Sequence, residues 1–223
     1  MIENPNTRTN WERKFRERLR SGWFRKPRYR RLSFVFRRWA METKIRKTYH
    51  YPVARFAAGR FLDVGCGLGS CAALRGYLKG GFNVGVDFAL PGLSYALSEC
   101  RRLGIPARFV AGDGYHLPFC DGAFDSVYIG QVLEHLDEPR AVLAEALRVL
   151  KPDGSLIVSV PKGTACSGGD ADHVNFYHTE LDCRRLLDDM PVADVEFHPY
   201  HRHRFFFAAR RISPDEARPT ESV

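Results

Sequence analysis

The chain has 223 residues, 44% of them hydrophobic and 27% charged, which suits one globular α/β domain with a modest appendage and excludes two full domains, a disordered chain and a fibrous protein. No apolar run reaches the 18 residues of a transmembrane helix. Six cysteines are few for a chain of this length, and no two of them form the CxxC pair of a zinc ribbon or a thioredoxin-type motif, so we expect a reduced, cytoplasmic protein. The formal net charge is +8, and the charge is unevenly distributed along the chain. Residues 1–50 hold 16 Lys/Arg and four Asp/Glu, a net of +12, whereas residues 51–223 hold 18 Lys/Arg and 22 Asp/Glu, a net of −4.

Residues 1–50 form a basic arm, in which we predict two amphipathic helices, the first with Asn10 as its N-cap. Gly22 and Pro27 separate the two helical patterns, each of which carries an apolar stripe. The stripes consist of Trp11, Phe15 and Leu19 in the first helix and Leu32, Val35, Phe36 and Trp39 in the second. Three roles are open for the arm: a lid on the domain, contact with an anionic membrane, or contact with a nucleic acid or another polyanion, the last two through residues 8–47.

After residue 51, short apolar runs alternate with helical patterns, which favours an α/β fold with a parallel sheet and helices on both faces. The predicted strands are 60–64, 82–87, 108–111, 124–129 and 155–160, and the predicted helices are about 69–79, 90–103, 137–150 and 178–189. Two last runs, 192–198 and 204–212, lie too close in sequence for a crossover helix, so we predict an antiparallel hairpin. The chain then divides into a helical extension (1–50), the α/β domain (51–213) and a disordered tail (214–223).

A glycine loop, residues 65–69, follows the first predicted strand and opens the first helix of the domain. Glycines let the backbone approach a ligand closely, and a helix N-terminus offers free N–H groups. The spacing is GxGxG, and Ser70 stands where a dinucleotide-binding loop has its third glycine. Asp63 would repel a pyrophosphate but could meet a ligand ammonium. Asp87, at the end of the next strand, can accept hydrogen bonds from both hydroxyls of a ribose.

Asp63 and the glycine loop resemble the first motif of class I S-adenosylmethionine-dependent methyltransferases, and later motifs match that family in order across roughly residues 55–212. These motifs are Asp87, Gly112-Asp113-Gly114, the LPFCDGAFD segment at 117–125, the VLEH segment at 132–135 and the LRVLKPDG segment at 147–154. The resemblance implies a Rossmann-like seven-stranded sheet, mostly parallel with a C-terminal antiparallel hairpin. It also implies methyltransferase activity with S-adenosylmethionine as the cofactor.

The same resemblance, carried over residue by residue, implies a cofactor site. The glycine loop would line the methionine end, Asp87 would bind the ribose, Asp113 would accept from the adenine amine, and Gly130 and Gln131 would flank the transferred methyl group. The implied cofactor-binding residues are Asp63, Gly65, Cys66, Gly67, Asp87, Phe88, Asp113, Gly114, Gly130 and Gln131.

Candidates for the acceptor side lie just after the fourth predicted strand and in residues 172–178, which resemble the substrate-lining segment of the family. A hydroxyl is a poor nucleophile and needs a base or a metal. We expect the acceptor to be a hydroxyl on a small molecule, with a histidine assisting its deprotonation. The candidate catalytic residues are His135, His173 and Tyr177, and the candidate substrate-binding residues are Tyr49, Tyr51, Glu134, Asn175 and His178.

A metal is the alternative to a histidine base. Glu134, His135 and His173 match three of four positions in a pattern similar to the divalent-cation ligands of small-RNA 2′-O-methyltransferases and some quinone-precursor O-methyltransferases. Gln131 replaces the first glutamate of that pattern, and its neutral amide oxygen is a weaker ligand. We therefore expect no metal.

Two other functions are open: methyl transfer to a nucleic acid or protein docked by the basic arm, and binding of S-adenosylmethionine without catalysis. The oligomeric state, monomer or homodimer, is open as well. For the arm we favour the lid. We expect its second helix to pack over the cofactor, with Tyr49 or Tyr51 nearby.

Overall fold

The computed structural model describes residues 6–20, 51–163, 172–198, 203–213 and 216. A sheet forms the centre of this part of the chain. Its strands are β1 (Phe61–Val64), β2 (Asn83–Asp87), β3 (Arg108–Ala111), β4 (Phe124–Gly130), β5 (Leu150–Pro161), β6 (Val192–Phe197) and β7 (Arg204–Arg211). They lie in the order β3-β2-β1-β4-β5-β7-β6. β3, β2, β1, β4 and β5 pair in parallel with one another, and β6 and β7 form an antiparallel hairpin, both as predicted. β7 is also antiparallel to β5.

Helices cover both faces of this sheet. The described helices are α1 (Arg8–Arg20), α2 (Tyr51–Phe56), α3 (Ser70–Lys79), α4 (Leu90–Leu103), α5 (Pro139–Val149) and α6 (Glu180–Arg185). Because successive side chains of a strand point to opposite faces, Phe61 packs with α2 and α3, whereas Leu62 packs with α5 and α6. None of the helices described is both long and apolar enough to cross a membrane.

The strand order places the candidate site. β1 lies between β2 and β4, so the direction in which strands are added reverses at this point, and ligands bind at the carboxyl ends of strands there. Val64 pairs with Val86 on one side and with Ile129 on the other. The three loops that follow β1, β2 and β4 therefore start at the same level of the sheet.

The C-terminal hairpin completes the sheet with β7 inside and β6 at the edge. β7 pairs with a strand on each side, and its residues Phe205–Ala209 are all buried. Because residues that point to opposite faces are all buried, both faces of β7 are covered, which explains why the run is continuously apolar rather than alternating.

Some predicted boundaries are wrong at the ends of elements. α1 begins at Arg8, and the N–H of Asn10 donates to Thr7 Oγ1 at 3.4 Å, so Thr7 caps the helix rather than Asn10. α6 is shorter than predicted at both ends: Thr179 and Asp182 form a capping box that fixes its start, and the helix already ends at Arg185. β5 is longer, because Leu150 already pairs with Phe124 before the register shifts.

Three predictions lie outside the described residues. They concern the second arm helix, Tyr49 and nearly all of the tail at 214–223.

Phe207→Ala tests the contribution of the hairpin to stability. Phe207 is 1% exposed, and its ring centroid lies 5.2 Å from that of Phe197. Truncation should lower the free energy of unfolding by about 3–5 kcal/mol, because it removes buried apolar surface and leaves a cavity. Urea unfolding followed by circular dichroism measures the change. Phe176→Ala is the matched control, since Phe176 is 44% exposed. Equal losses in the two variants would contradict a core role for Phe207.

Candidate functional site

The glycine loop leaves β1 in a left-handed backbone conformation. The φ angles of Gly65, Gly67 and Gly69 are +66°, +54° and +71°, which other residues rarely adopt. A Cβ on Gly65 would lie 2.4 Å from Val132 Cγ2. A side chain there would push the loop away from the segment that follows β4, so glycine is required for the two to stay in contact.

Asp87 ties the glycine loop to the end of β2. Its Oδ2 accepts from the Gly67 N–H and its Oδ1 from the Ala89 N–H, both at 2.8 Å. Burial raises the pKa of the Asp87 carboxyl, although these backbone N–H groups partly offset the effect. The carboxyl group thus lies directly beneath the loop, where the sequence predicts the ribose.

Asp63 lies deeper, within β1, and is 3% exposed. Its Oδ2 accepts from the Ala72 N–H at 3.2 Å, in the first turn of α3. Burial raises the pKa of Asp63 to about 8; the bond from Ala72 opposes this, and the nearby Asp87 adds to it. A carboxyl group in this environment ionises readily only when a positive charge approaches it.

Gln131 follows β4 in a strained conformation. Its φ is +58°. Its backbone N–H donates to the Ser159 carbonyl on β5 at 2.9 Å, and its side-chain Nε2 donates to Ser159 Oγ at 3.0 Å. Strain of this kind persists where the surrounding structure enforces it, often at functional sites. The Gln131 side chain is therefore bonded toward β5.

The other predicted cofactor residues occupy the same edge of the sheet. Phe88, Gly114 and Gly130 lie at or just after the ends of β2, β3 and β4. Asp113 is exposed, and its Oδ1 accepts from the Tyr115 N–H at 3.0 Å, which shapes the turn after β3. Cys66 is buried, and burial raises the pKa of its thiol, so it is a packing residue of the loop rather than a nucleophile.

α1, the first helix of the basic arm, lies across this edge of the sheet. Phe15 is 6% exposed, and a Cβ on Gly67 would lie 3.3 Å from its Cζ. Trp11 packs edge-on against the imidazole of His135, with ring centroids 5.0 Å apart. The apolar stripe predicted for this helix therefore packs on the glycine loop and the acceptor side.

The acceptor side is built from a turn and a segment distant in sequence. The turn is the 3₁₀ helix Leu133–His135, and the segment is residues 172–178, called the acceptor segment below. The N–H groups of Val174 and Asn175 donate to the Glu134 carbonyl at 2.8 and 3.1 Å. Asn175 Nδ2 also donates to the carbonyls of Leu133 and Leu136. These bonds hold the acceptor segment against the turn.

Glu134, His135 and His173 come together there, with one ligand atom from each lying within 4.8 Å of the others. Glu134 is 1% exposed. His135 Nε2 lies 4.0 Å from Glu134 Oε1, and the His135 and His173 rings are 4.7 Å apart. The predicted candidates thus form one cluster.

The hydrogen bond of His135 defines the tautomer of its neutral form. Its Nδ1 lies 3.1 Å from the Asp172 carbonyl oxygen, which can only accept, so Nδ1 carries the proton. Burial lowers the pKa of His135, which favours neutral imidazole at neutral pH. In that form Nε2 holds a lone pair that faces the Glu134 side of the cluster.

Other acceptor-side candidates fit a supporting role better. Tyr177 is 4% exposed, its hydroxyl lies 3.5 Å from the Leu133 carbonyl, and burial raises its pKa. His178 is exposed and its N–H donates to Asp182. The Asn175 amide nitrogen holds the turn, as described above. The side chains of Tyr49 and Tyr51 lie outside the described residues.

Sequence reasoning missed two residues, Lys14 and Asp172. Lys14 Nζ lies 2.5 Å from Asp172 Oδ2, which joins α1 to the acceptor segment. No motif marks Lys14, and Asp172 was not singled out within the segment 172–178. The apolar stripe did mark Trp11 and Phe15, but it did not indicate what they contact.

The domain that carries this site is similar to known methyltransferases. Residues 62–158 match the family model described as "Methyltransferase domain". Demethylmenaquinone methyltransferase of Thermus thermophilus is 39% identical over 103 residues, which cover 46% of this chain and 47% of that protein. Sterol 24-C-methyltransferase of Schizosaccharomyces pombe is 33% identical over 135 residues, which cover 55% of this chain and 35% of that protein. A S-adenosylmethionine-dependent methyltransferase structure from Aquifex aeolicus has a TM-score of 0.61 at 20% identity and covers 76% of this chain and 93% of that one, which shows the fold.

Residues 62–158 therefore form a methyltransferase domain of the class I S-adenosylmethionine-dependent family, as the motifs predicted. Among particular proteins, the chain is similar to the demethylmenaquinone methyltransferase of Thermus thermophilus. The match spans less than half of the length of either curated relative.

Asp63→Asn should stabilise the cofactor-free protein at pH 7–8. The pKa of Asp63 rises from 3.8 to about 8 on folding, so the folded state binds more protons between these values. The contribution of this group is full below pH 4 and is lost as pH rises toward 8, at up to about 1.4 kcal/mol per pH unit. Asparagine has the same shape and removes this dependence. Urea unfolding across that pH range measures it.

Asp113→Asn serves as the control, because Asp113 is exposed. If Asp63→Asn and the wild type show parallel pH profiles of stability, the carboxyl group of Asp63 is already ionised in the free protein.

Proposed function

We propose that this protein transfers the methyl group of S-adenosylmethionine to a hydroxyl of a small molecule. The supporting observation is the position of His135, whose Nδ1 lies 3.1 Å from the Asp172 carbonyl oxygen, which leaves Nε2 as the nitrogen that can accept a proton. This nitrogen lies beyond the carboxyl end of β4, next to the segment that touches the glycine loop. A base in that place can take a proton from an acceptor that faces the cofactor.

The cofactor would lie along the glycine loop, with its polar groups matched to two carboxyl groups. Asp63 would ionise against the ammonium of the methionine part, directly or through a water molecule. Asp87 would accept from the ribose hydroxyls while its backbone bonds keep the loop in place. Asp113 and Gly114 would contact the adenine, and Gly130 and Gln131 would flank the reacting methyl group.

Methyl transfer requires the protein mainly to orient the two reactants. The sulfonium already activates the methyl group, so the acceptor oxygen attacks the methyl carbon in line as the carbon–sulfur bond breaks. The oxygen forms the new bond to carbon, the sulfur keeps the bonding electrons, and the hydroxyl proton moves to His135 Nε2. S-adenosylhomocysteine and the methyl ether leave, and the proton then passes to solvent.

α1 would serve as part of a lid. It contributes Phe15 to the glycine loop and Trp11 to the imidazole of His135, so its apolar face is used inside the protein. Exclusion of water strengthens electrostatic interactions in the site. The inward use of this helix supports a lid better than a surface devoted to docking.

A carbon acceptor is the second candidate, because a curated relative is named as a sterol 24-C-methyltransferase. The same base would take a proton from carbon instead of oxygen. Incubation of the protein with methyl-¹³C-labelled S-adenosylmethionine, a panel of phenols and quinols, and a metabolite extract distinguishes the two. The ¹³C shift of the product methyl separates an ether from a carbon-bound methyl, and a carbon-bound product would overturn the hydroxyl proposal.

His135→Gln should lower kcat for the acceptor so identified by about 10²–10⁴-fold, because it removes the base. Affinity for S-adenosylhomocysteine should not change, since His135 lies on the acceptor side. Added imidazole should partly restore the turnover of His135→Ala. The kcat of the wild type should stay constant above the lowered pKa of His135 and should fall as the pH drops below that pKa. A kcat within threefold of wild type in His135→Gln would remove this residue from the mechanism.

Dialysis against a chelator should leave activity intact. Glu134, His135 and His173 supply three donor atoms. The fourth position of the pattern is Gln131, whose neutral amide oxygen is a weaker ligand than a carboxylate and whose Nε2 donates to Ser159 Oγ. Turnover measured before and after dialysis, and again with added magnesium or manganese, tests this. Loss of activity that either ion restores would contradict it.

A further inference from the structure

Asp172 joins three parts of the chain at the edge of the candidate site. Its carbonyl accepts from His135 Nδ1 at 3.1 Å and from Asn6 Nδ2 at 3.0 Å. Its carboxylate Oδ2 lies 2.5 Å from Lys14 Nζ and 3.7 Å from His135 Nδ1. One residue thus contacts the N-terminal region twice and the imidazole twice.

The two charges act on His135 in opposite directions. A carboxylate this close favours the charged imidazolium, whereas an ammonium disfavours it. Although burial alone would raise the pKa of Asp172, the hydrogen bond and charge of Lys14 lower it, so the carboxylate stays ionised. Lys14 therefore competes with His135 for the same carboxylate.

Lys14 reaches this position because of where α1 lies. Its ammonium lies over the ring of Trp11, 4.5 Å from the centroid, and Trp11 packs on His135. Both the burial of the imidazole by Trp11 and the charge of Lys14 thus depend on the placement of α1.

We propose that Asp172 and Lys14 are positioning residues: the Asp172 carbonyl fixes the tautomer of His135, and Lys14 neutralises the Asp172 carboxylate so that the imidazole stays neutral while α1 covers the site. Without α1, the imidazole would be more exposed and paired with an uncompensated carboxylate, and it would hold a proton. His135 would then be neutral, and able to accept a proton, only while α1 covers the site. This inference rests on the base role of His135 proposed above.

Within the part of the chain that the structure describes, four titratable groups face this imidazole. Lys14 comes from α1, Asp172 and His173 come from the acceptor segment, and Glu134 comes from the turn. Burial is the largest influence and lowers the pKa of His135; the Asp172 carbonyl and carboxylate raise it, and His173 and Lys14 lower it. Substitution of Lys14 or Asp172 leaves the other facing groups in place.

The experiment is an NMR titration of the His135 ring in the full-length, chelator-treated protein, with histidine-specific labelling and His135→Gln to assign the signal. Lys14→Met should move the midpoint upward by about one pH unit, and Asp172→Asn should move it downward by about as much. Both substitutions preserve shape, and Asp172→Asn keeps the carbonyl that holds Nδ1. Lys14→Arg should restore the wild-type midpoint.

Arg13→Gln is the matched control, because it removes a cation from the exposed side of the same helix, where Arg13 pairs with Glu17. Its midpoint should equal that of the wild type. Midpoints that stay unchanged in both test variants, or move in the same direction, would overturn the proposal.

The acid limb of the pH profile of kcat separates this proposal from the proposed function. If the acid limb shifts with the NMR midpoint of His135 in each variant, His135 is the base and Lys14 and Asp172 set its protonation. If the midpoints move as expected and kcat does not follow, the positioning of His135 stands and its base role falls.

Discussion

Two carboxyl groups buried beneath one glycine loop constrain the site most strongly. Asp87 accepts from Gly67 and Ala89, and Asp63 accepts from the first turn of α3, so the loop, β2 and α3 are fastened to one another. Two like charges that lie close together in a poorly solvated place cannot both ionise easily. The site is therefore prepared for a ligand that brings a positive group and hydroxyl donors, which is what S-adenosylmethionine offers.

The acceptor side depends on the same arrangement through packing. The segment that follows β4 touches Gly65 through Val132, and it leads directly into the turn that carries Glu134 and His135. α1 spans both sides, with Phe15 at the loop and Trp11 at the imidazole. One helix thus contacts both the glycine loop and the imidazole that we propose as the base, which gives a physical reason for cofactor binding and the protonation of His135 to be linked.

The sequence predicted most of the fold, because apolar runs and glycine turns are local patterns. The predicted and observed bounds of strand β3 are the same, and the short link between the last two strands was enough to predict the hairpin. The motifs also indicated the loop, Asp87 and the cluster around His135. The ion pair between Lys14 and Asp172 was not predictable, because it joins residues 158 positions apart that no periodicity relates. The cap was misassigned because Thr7 and Asn10 are both good capping residues, and only the backbone path selects between them.

The central claim is that Asp63 stays protonated in the free protein and ionises against the cofactor ammonium. Calorimetric titration with S-adenosylhomocysteine at pH 7, in two buffers of different ionisation enthalpy, tests it most directly. Because the pKa of Asp63 is about 8 before binding, the wild type should release close to one proton as the ligand binds, so the heats in the two buffers should differ. Asp63→Asn should bind more weakly and release almost none. Equal heats in both buffers for the wild type, or no binding of S-adenosylhomocysteine, would contradict the account.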